Sequence, residues 1–268
     1  MKSRKVISIA NQKGGVAKTF STCSICYELG KSGYKVLVID CDPQANLTAS
    51  FGIEPRSLDF RNTLSALMTD VITFKENVDP SEYIMSTEFG VDIIPTSSDM
   101  RGIDKTIEQR EMRKEYVLQE IVEPLRDNYD FIFLDSPPTF SNLTLDILVA
   151  SDSVMIPLDT SESASRGMLD LIGSIQRIQK YFNKDLSIDG IFFARVSKGT
   201  VHATETMESI RRALKKNNVY VYKVFIPSSV RAMESISERI PIGQLDPSNA
   251  VSVAYRDFTK EFLERIHK

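Results

Sequence analysis

Two lysines and a threonine in ANQKGGVAKTFST (residues 10–22) have the types and spacing to hold a chain of phosphates. Lys13 comes first, then a glycine pair at Gly14 and Gly15, then Lys18 and Thr19. Glycine backbone leaves N–H groups open, and a helix beginning near Lys18 adds the positive end of its dipole, so anionic oxygens are attracted there. Lys18 would neutralise charge on β- and γ-phosphates, and the Thr19 hydroxyl would ligate Mg²⁺. The stretch departs from the common loop G-x-x-x-x-G-K-[ST]. Gln12 stands at the first glycine position and Ala17 at the second, while Lys13 is an extra cation ahead of the pair.

Three aspartates supply complementary chemistry. VIDCDPQAN carries Asp40 and Asp42 at the end of an apolar run, and FIFLDSPPT places Asp135 after another. One strand-terminal carboxylate is usually a turn or cap residue. Three at one sheet edge beside a phosphate loop point to metal and water instead. Asp135 follows the Walker B pattern, which holds magnesium through water, and Asp40 shares that metal edge. Asp42, two residues past its strand, is placed to orient an attacking water. Phosphoryl transfer relies on positioning and charge neutralisation, so no Ser/His/Asp triad is needed. His202 and His267 are the only histidines in any case.

These residues need a parallel sheet to gather them, because ligands sit at the carboxyl ends of parallel strands. Near-continuous apolar runs at 5–10, 35–40, 91–95, 130–135, 153–158, 190–196 and 219–227 predict strands covered on both faces. The segments 18–32, 104–126, 165–182, 203–217 and 250–267 predict helices between them. The expected fold is therefore α/β, a twisted, mostly parallel sheet with helices on both faces. Residues 1–268 are expected to form a single domain, with 52–90 as an elaborated connection inside it. The 268 residues, 42% hydrophobic and 26% charged, suffice for one large core. A net charge of −3 confines any nucleic-acid surface to a local patch. No apolar run approaches the roughly 20 residues that span a bilayer, and the N-terminus predicts a first strand, not a signal peptide. Three cysteines give no disulfide framework, so a soluble, cytosolic protein is expected.

KGGVAKT resembles the deviant Walker A loop, K-G-G-x-x-K-[ST], of the ParA/MinD superfamily of P-loop ATPases. VLVIDCDPQANLT and FIFLDSPPT resemble that family's next motifs in the right order. SDSVMIPLDTSESASRGMLDLI and the segment from FIPSSVRAMES onward continue the likeness, which covers essentially the whole chain and is nearest to the ParA (Soj-like) partition branch. The resemblance implies an ATP- and Mg²⁺-dependent homodimer that sandwiches the nucleotide, with Lys13 reaching the partner's phosphates. Lys18 becomes the cis lysine, Thr19 the magnesium hydroxyl, Asp42 the hydrolytic aspartate and Asp135 the Walker B carboxylate. The loop from Gly14 through Val16, Ala17 and Phe20 would line the nucleotide. Gly14 and Gly15 leave room for the second subunit, and Ala17, where the family prefers glycine, is tolerable at negative φ. At the adenine-reading position Phe193 replaces the usual Asn or Asp, and Pro227 would add backbone contacts.

The resemblance also implies nonspecific DNA binding by the ATP dimer, association with the nucleoid and a ParB-like partner. Candidate phosphate contacts are Arg195, Lys198, Arg211, Arg212, Lys215, Lys216 and Arg231. A charge run of this kind on a helix is also what a solvated face looks like. Two alternatives stay open. A membrane-positioning ATPase of the MinD type would use the stripe Tyr255, Phe258, Phe262, Leu263 and Ile266 as an amphipathic anchor, although sheet packing explains it too. An iron–sulfur redox ATPase would use Cys23 and Cys26, which core packing also explains.

Overall fold

The computed structural model describes residues 5–161, 164–197, 199–215 and 219–267, without the side chains of 165 and 166. Seven strands form one sheet in the order β3-β4-β2-β5-β1-β6-β7. They are β1 (Lys5–Ile9), β2 (Val36–Asp40), β3 (Met85–Ser86), β4 (Asp92–Ile94), β5 (Phe131–Asp135), β6 (Ser153–Leu158) and β7 (Ser187–Phe193). Every pairing is parallel except β3 with β4. The helices are α1 (Lys18–Lys31), α2 (Asn46–Ser50), α3 (Leu64–Ile72), α4 (Ile103–Glu108), α5 (Val117–Val122), α6 (Asn142–Ala150), α7 (Ala164–Tyr181), α8 (Val201–Lys215), α9 (Val230–Glu238), α10 (Ile242–Leu245) and α11 (Ala250–Ile266).

Alternate residues of the central strands serve opposite layers, as the two-residue strand period requires. Ile7, Ile9, Phe131 and Phe133 pack with α1 and α11 on one face. Val6, Leu37, Ile39, Ile132 and Leu134 pack with α3 to α6 on the other. A third cluster joins β6 and β7 to α7 and α8. The chain leaves β1 toward β2 and leaves β5 across β1 toward β6. Connections that diverge in this way open a crevice at the carboxyl ends of β1 and β5.

The α11 stripe is buried in the first layer. Tyr255, Phe258 and Phe262 are at most 1% exposed, with Phe258 4.8 Å from Phe192 and Phe262 5.6 Å from Phe131 between ring centres. That face covers the sheet, so it does not serve as a membrane anchor. No helix among the described residues is long and apolar enough to cross a membrane.

Two predicted elements are corrected. Residues 219–227 make only isolated bridges, Ile191 with Val221 and Val196 with Pro227. The reason is local: the Lys223 and Val224 amides donate to the Glu261 carboxylate at 2.8 and 3.1 Å, which takes them out of a ladder. The helix expected at 104–126 divides into α4 and α5. Arg113 at φ 56° breaks it, and the Leu118 amide donates to buried Asp146. Within 52–90 lie α3 and β3, the latter added as an antiparallel edge.

Candidate functional site

The phosphate loop occupies the crevice at the end of β1. Asn11 fixes its entry, its amide donating to Pro157 O and its Oδ1 accepting the Lys13 amide at 2.9 Å. Gly14 and Gly15 are exposed, and Val16 is buried beneath them. Gly15 takes φ 74°, a turn conformation that favours glycine. Ala17 takes φ 66° just before α1, contrary to the negative value on which its tolerance was expected to rest. An L-residue there costs roughly 1 kcal/mol. Replacing Ala17 by glycine should therefore raise stability by about 1 kcal/mol, seen as a Tm increase of roughly 2–4 °C in thermal denaturation. Phe20 turns away from the loop, its ring 5.8 Å from that of Tyr255.

Lys18 is buried, with Nζ donating to Lys13 O at 3.4 Å. Burial lowers its pKa, while the charges of Asp135 and Asp42 work to keep it protonated. Thr19 Oγ1 donates to Asp135 Oδ2 at 2.7 Å, and Thr22 Oγ1 donates to the other oxygen at 2.9 Å. The hydroxyl and the carboxylate singled out in the sequence are thus in contact. Asp40 is the register partner of Asp135 on the neighbouring strand, but its expected part at the metal edge needs correction. Both its oxygens accept protein donors: Oδ1 takes the Asp42 amide at 3.2 Å, and Oδ2 takes the Thr48 amide and hydroxyl at 2.8 and 2.7 Å. Asp40 fastens the loop that carries Asp42. Asp42, also buried, caps that turn by accepting the Gln44 amide at 2.9 Å.

Burial pushes Asp135 up to about 8, helped by the nearby charge of Asp40, and burial pushes Asp40 up to about 6. Carboxylates in the unfolded chain titrate near 4, so the folded form binds more protons between these limits. Stability of the nucleotide-free protein should accordingly be greatest in acid, fall as pH rises from about 4 through about 8, and then level. Urea midpoints at pH 5, 7 and 9 check this, and Asp135→Asn should flatten the decline between pH 6 and 8.

Lys13 lies at the rim of the loop. Its Nζ donates to Asp159 Oδ2 and to Ser161 Oγ, each at 2.6 Å, and it is a third exposed. The lysine expected to reach a second subunit here rests on the turn after β6 of its own chain. Sequence reasoning missed that partner, although SVMIPLDTSES places an aspartate just past a strand end, the one signal available.

A family model described as an AAA domain matches residues 4–188. The sporulation initiation inhibitor protein Soj of Bacillus subtilis (strain 168) is 31% identical over 96% of this chain and 97% of its own length. The chain belongs to the ParA/MinD superfamily, in its Soj-like branch. The chromosome partitioning protein ParA of Caulobacter vibrioides (strain NA1000 / CB15N) is 30% identical over 97% of this chain and 94% of its own. Among solved structures, a cobyrinic acid a,c-diamide synthase from Mycobacterium smegmatis with bound ADP and magnesium superposes with a TM-score of 0.83. It shares 27% identity over 98% of this chain and 96% of that one.

The basic residues marked for DNA are dispersed in this ParA-like chain. Arg195, at φ 57°, donates to Gly15 O at 2.5 Å, so it braces the phosphate loop. Arg211 donates to the carbonyls of Tyr222 and Lys223 at 3.0 and 3.2 Å and lies over the Phe193 ring. Arg231 is enclosed by Glu234, Glu238 and Asp246 at 2.6, 3.7 and 3.8 Å. These three are structural contacts and do not form an open basic face. Arg212 and Lys215 remain exposed on α8; Lys198 and Lys216 lie outside the described residues. Phe193 is fully buried, which removes it from adenine contact, and Pro227 is buried beside Val196. Cys23 and Cys26 are buried in the core, and burial pushes both thiols far up, which disfavours the thiolates that an iron–sulfur cluster needs.

Proposed function

We propose that the chain, acting as one unit, is an ATPase that dimerises around ATP and Mg²⁺, binds DNA without sequence preference as the closed dimer, and releases it on hydrolysis. A ParB-like centromere-binding protein would accelerate the last step, and the protein would work in the cytoplasm on the nucleoid. The chromosome-partitioning role in the name of the C. vibrioides relative and the ADP and magnesium in the M. smegmatis structure support this reading. Thr19 and Asp135 offer the oxygen donors that Mg²⁺ takes; bound there, Mg²⁺ would neutralise phosphate charge. Lys18 would hold the β- and γ-phosphates. Asp42 would orient a water whose oxygen bonds to the γ-phosphorus as the bond to the bridging oxygen breaks, giving ADP and phosphate.

The observation that carries the dimer is at Lys13 and Gly14. A Cβ added to Gly14 would meet nothing within 4 Å, and its φ is not positive. The chain's own packing therefore gives no reason for glycine there, whereas a close approach by a second copy does. Lys13 stands beside that opening on a partly exposed ion pair.

For DNA, filter binding to random duplex should be tighter with ATP than with ADP and fall steeply with salt. Arg212→Ala should lower the slope of log K against log[salt] by about 1. The absence of any ATP-dependent difference would remove the DNA part, and ATP-dependent binding to liposomes in its place would favour a membrane role.

A further inference from the structure

We propose that a cavity beside the Asp42 loop is a binding site for a small polyanion bearing phosphate or carboxylate groups. The cavity is about 440 Å³, and Arg56, Arg101 and Arg239 line it together with Glu54, Pro43 and Gln44. That volume lies within the range of small-molecule sites. Four separate pieces of chain build the walls: the loop after β2, the turn at 55–57, the turn at 98–102 and the end of α9.

The charges in it do not balance. Glu54 is the lining carboxylate, and it is already committed to Arg239 at 2.7 Å. The guanidinium groups of Arg56 and Arg101 make no hydrogen bond or ion pair with any described residue. Most other arginines among the described residues have polar partners. Arg61, Arg110, Arg126, Arg231 and Arg256 meet carboxylates, and Arg195, Arg211 and Arg265 meet main-chain carbonyls. The Arg56 guanidinium acts on Glu54 only through space, so two guanidinium groups without a hydrogen-bonded carboxylate border one hollow and, in a chain of net charge −3, form a local positive field. Planar guanidinium forks match phosphate and carboxylate oxygens bidentately.

The other nearby carboxylates form no ion pair with Arg56 or Arg101. Asp99 accepts the Ser97 hydroxyl at 2.8 Å, and Asp42 and Asp104 line a separate, smaller hollow that Arg101 also borders. An anion in the arginine cavity would touch Pro43 and Gln44, the residues that follow Asp42. The site itself does not rest on the ATPase reading.

Calorimetric titration of the full chain tests it. A Lys18→Ala background removes the buried phosphate-loop lysine, and the part of the remaining anion binding that is lost on substituting Arg56 and Arg101 belongs to the arginine cavity. The probes are fructose 1,6-bisphosphate, which carries two phosphate esters, and citrate, which carries carboxylates. One molecule per chain should bind at least one probe with a Kd of about 1 mM or below, and the tighter probe identifies the favoured group. Adding Arg56→Gln and Arg101→Gln, both at exposed positions, should weaken binding about tenfold or more, as expected on loss of charge-assisted bonds. Arg212→Gln should leave it unchanged. Failure of both probes to bind, binding that survives the double substitution, or equal weakening by Arg212→Gln would overturn the proposal.

Discussion

Lys18→Ala should lose ATP binding by at least ~100-fold while the folded chain keeps or gains stability. The two effects have opposite signs because the buried ammonium is costly to the fold. Burial lowers its pKa, and its one hydrogen bond is a long one, 3.4 Å to Lys13 O. Within the chain it is poorly compensated, so alanine removes a desolvation penalty. With a triphosphate bound, the same ammonium would make charge-assisted bonds worth roughly 1.5–3 kcal/mol each, so two of them account for about two orders of magnitude or more. Titration with ATP and Mg²⁺ alongside a thermal melt separates the effects. A variant that binds ATP normally, or one that fails to fold, contradicts this assignment.

Lys13→Ala should leave the monomer's Tm within a few degrees of the parent yet reduce ATP hydrolysis by roughly 10³-fold or more, the scale of a cation supplied in trans. The pair it forms with Asp159 is partly exposed at both ends, 32% and 23%. Ion pairs in such settings contribute about 0–1 kcal/mol. Releasing Lys13 from Asp159 is therefore cheap, and the charge is available to a neighbour's phosphates. The same substitution should abolish ATP-dependent dimerisation. Single-turnover hydrolysis and sedimentation of the variant test both halves; hydrolysis at the parental rate would contradict the trans role.

Much of this was legible in the residues. β1, β2, β5 and β6 announce themselves because strands buried on both faces are apolar throughout, and Asp40 and Asp135 end theirs as expected. Thr19 and Asp135 are far apart in sequence, but parallel pairing of β1 with β5 brings their strand ends together. What escaped depended on contacts that local pattern does not encode. The YVYKVFIP run reads as a strand until Glu261 takes its amides. Arg195, Arg211 and Arg231 look like free cations in the sequence, yet carbonyls and carboxylates from other segments occupy them. The positive φ of Ala17 was hidden because alanine gives no sign of it, whereas glycine at the same position would have.

In the proposed closed state two copies enclose the nucleotide, each lending Lys13 to the other. Multi-angle light scattering at saturating Mg²⁺ and a non-hydrolysable ATP analogue measures it most directly. The expected mass is about twice the chain mass of 30.2 kDa for the parent and 30.2 kDa for Lys13→Ala. A parent that binds the analogue but stays at 30.2 kDa across the accessible protein concentrations would contradict it.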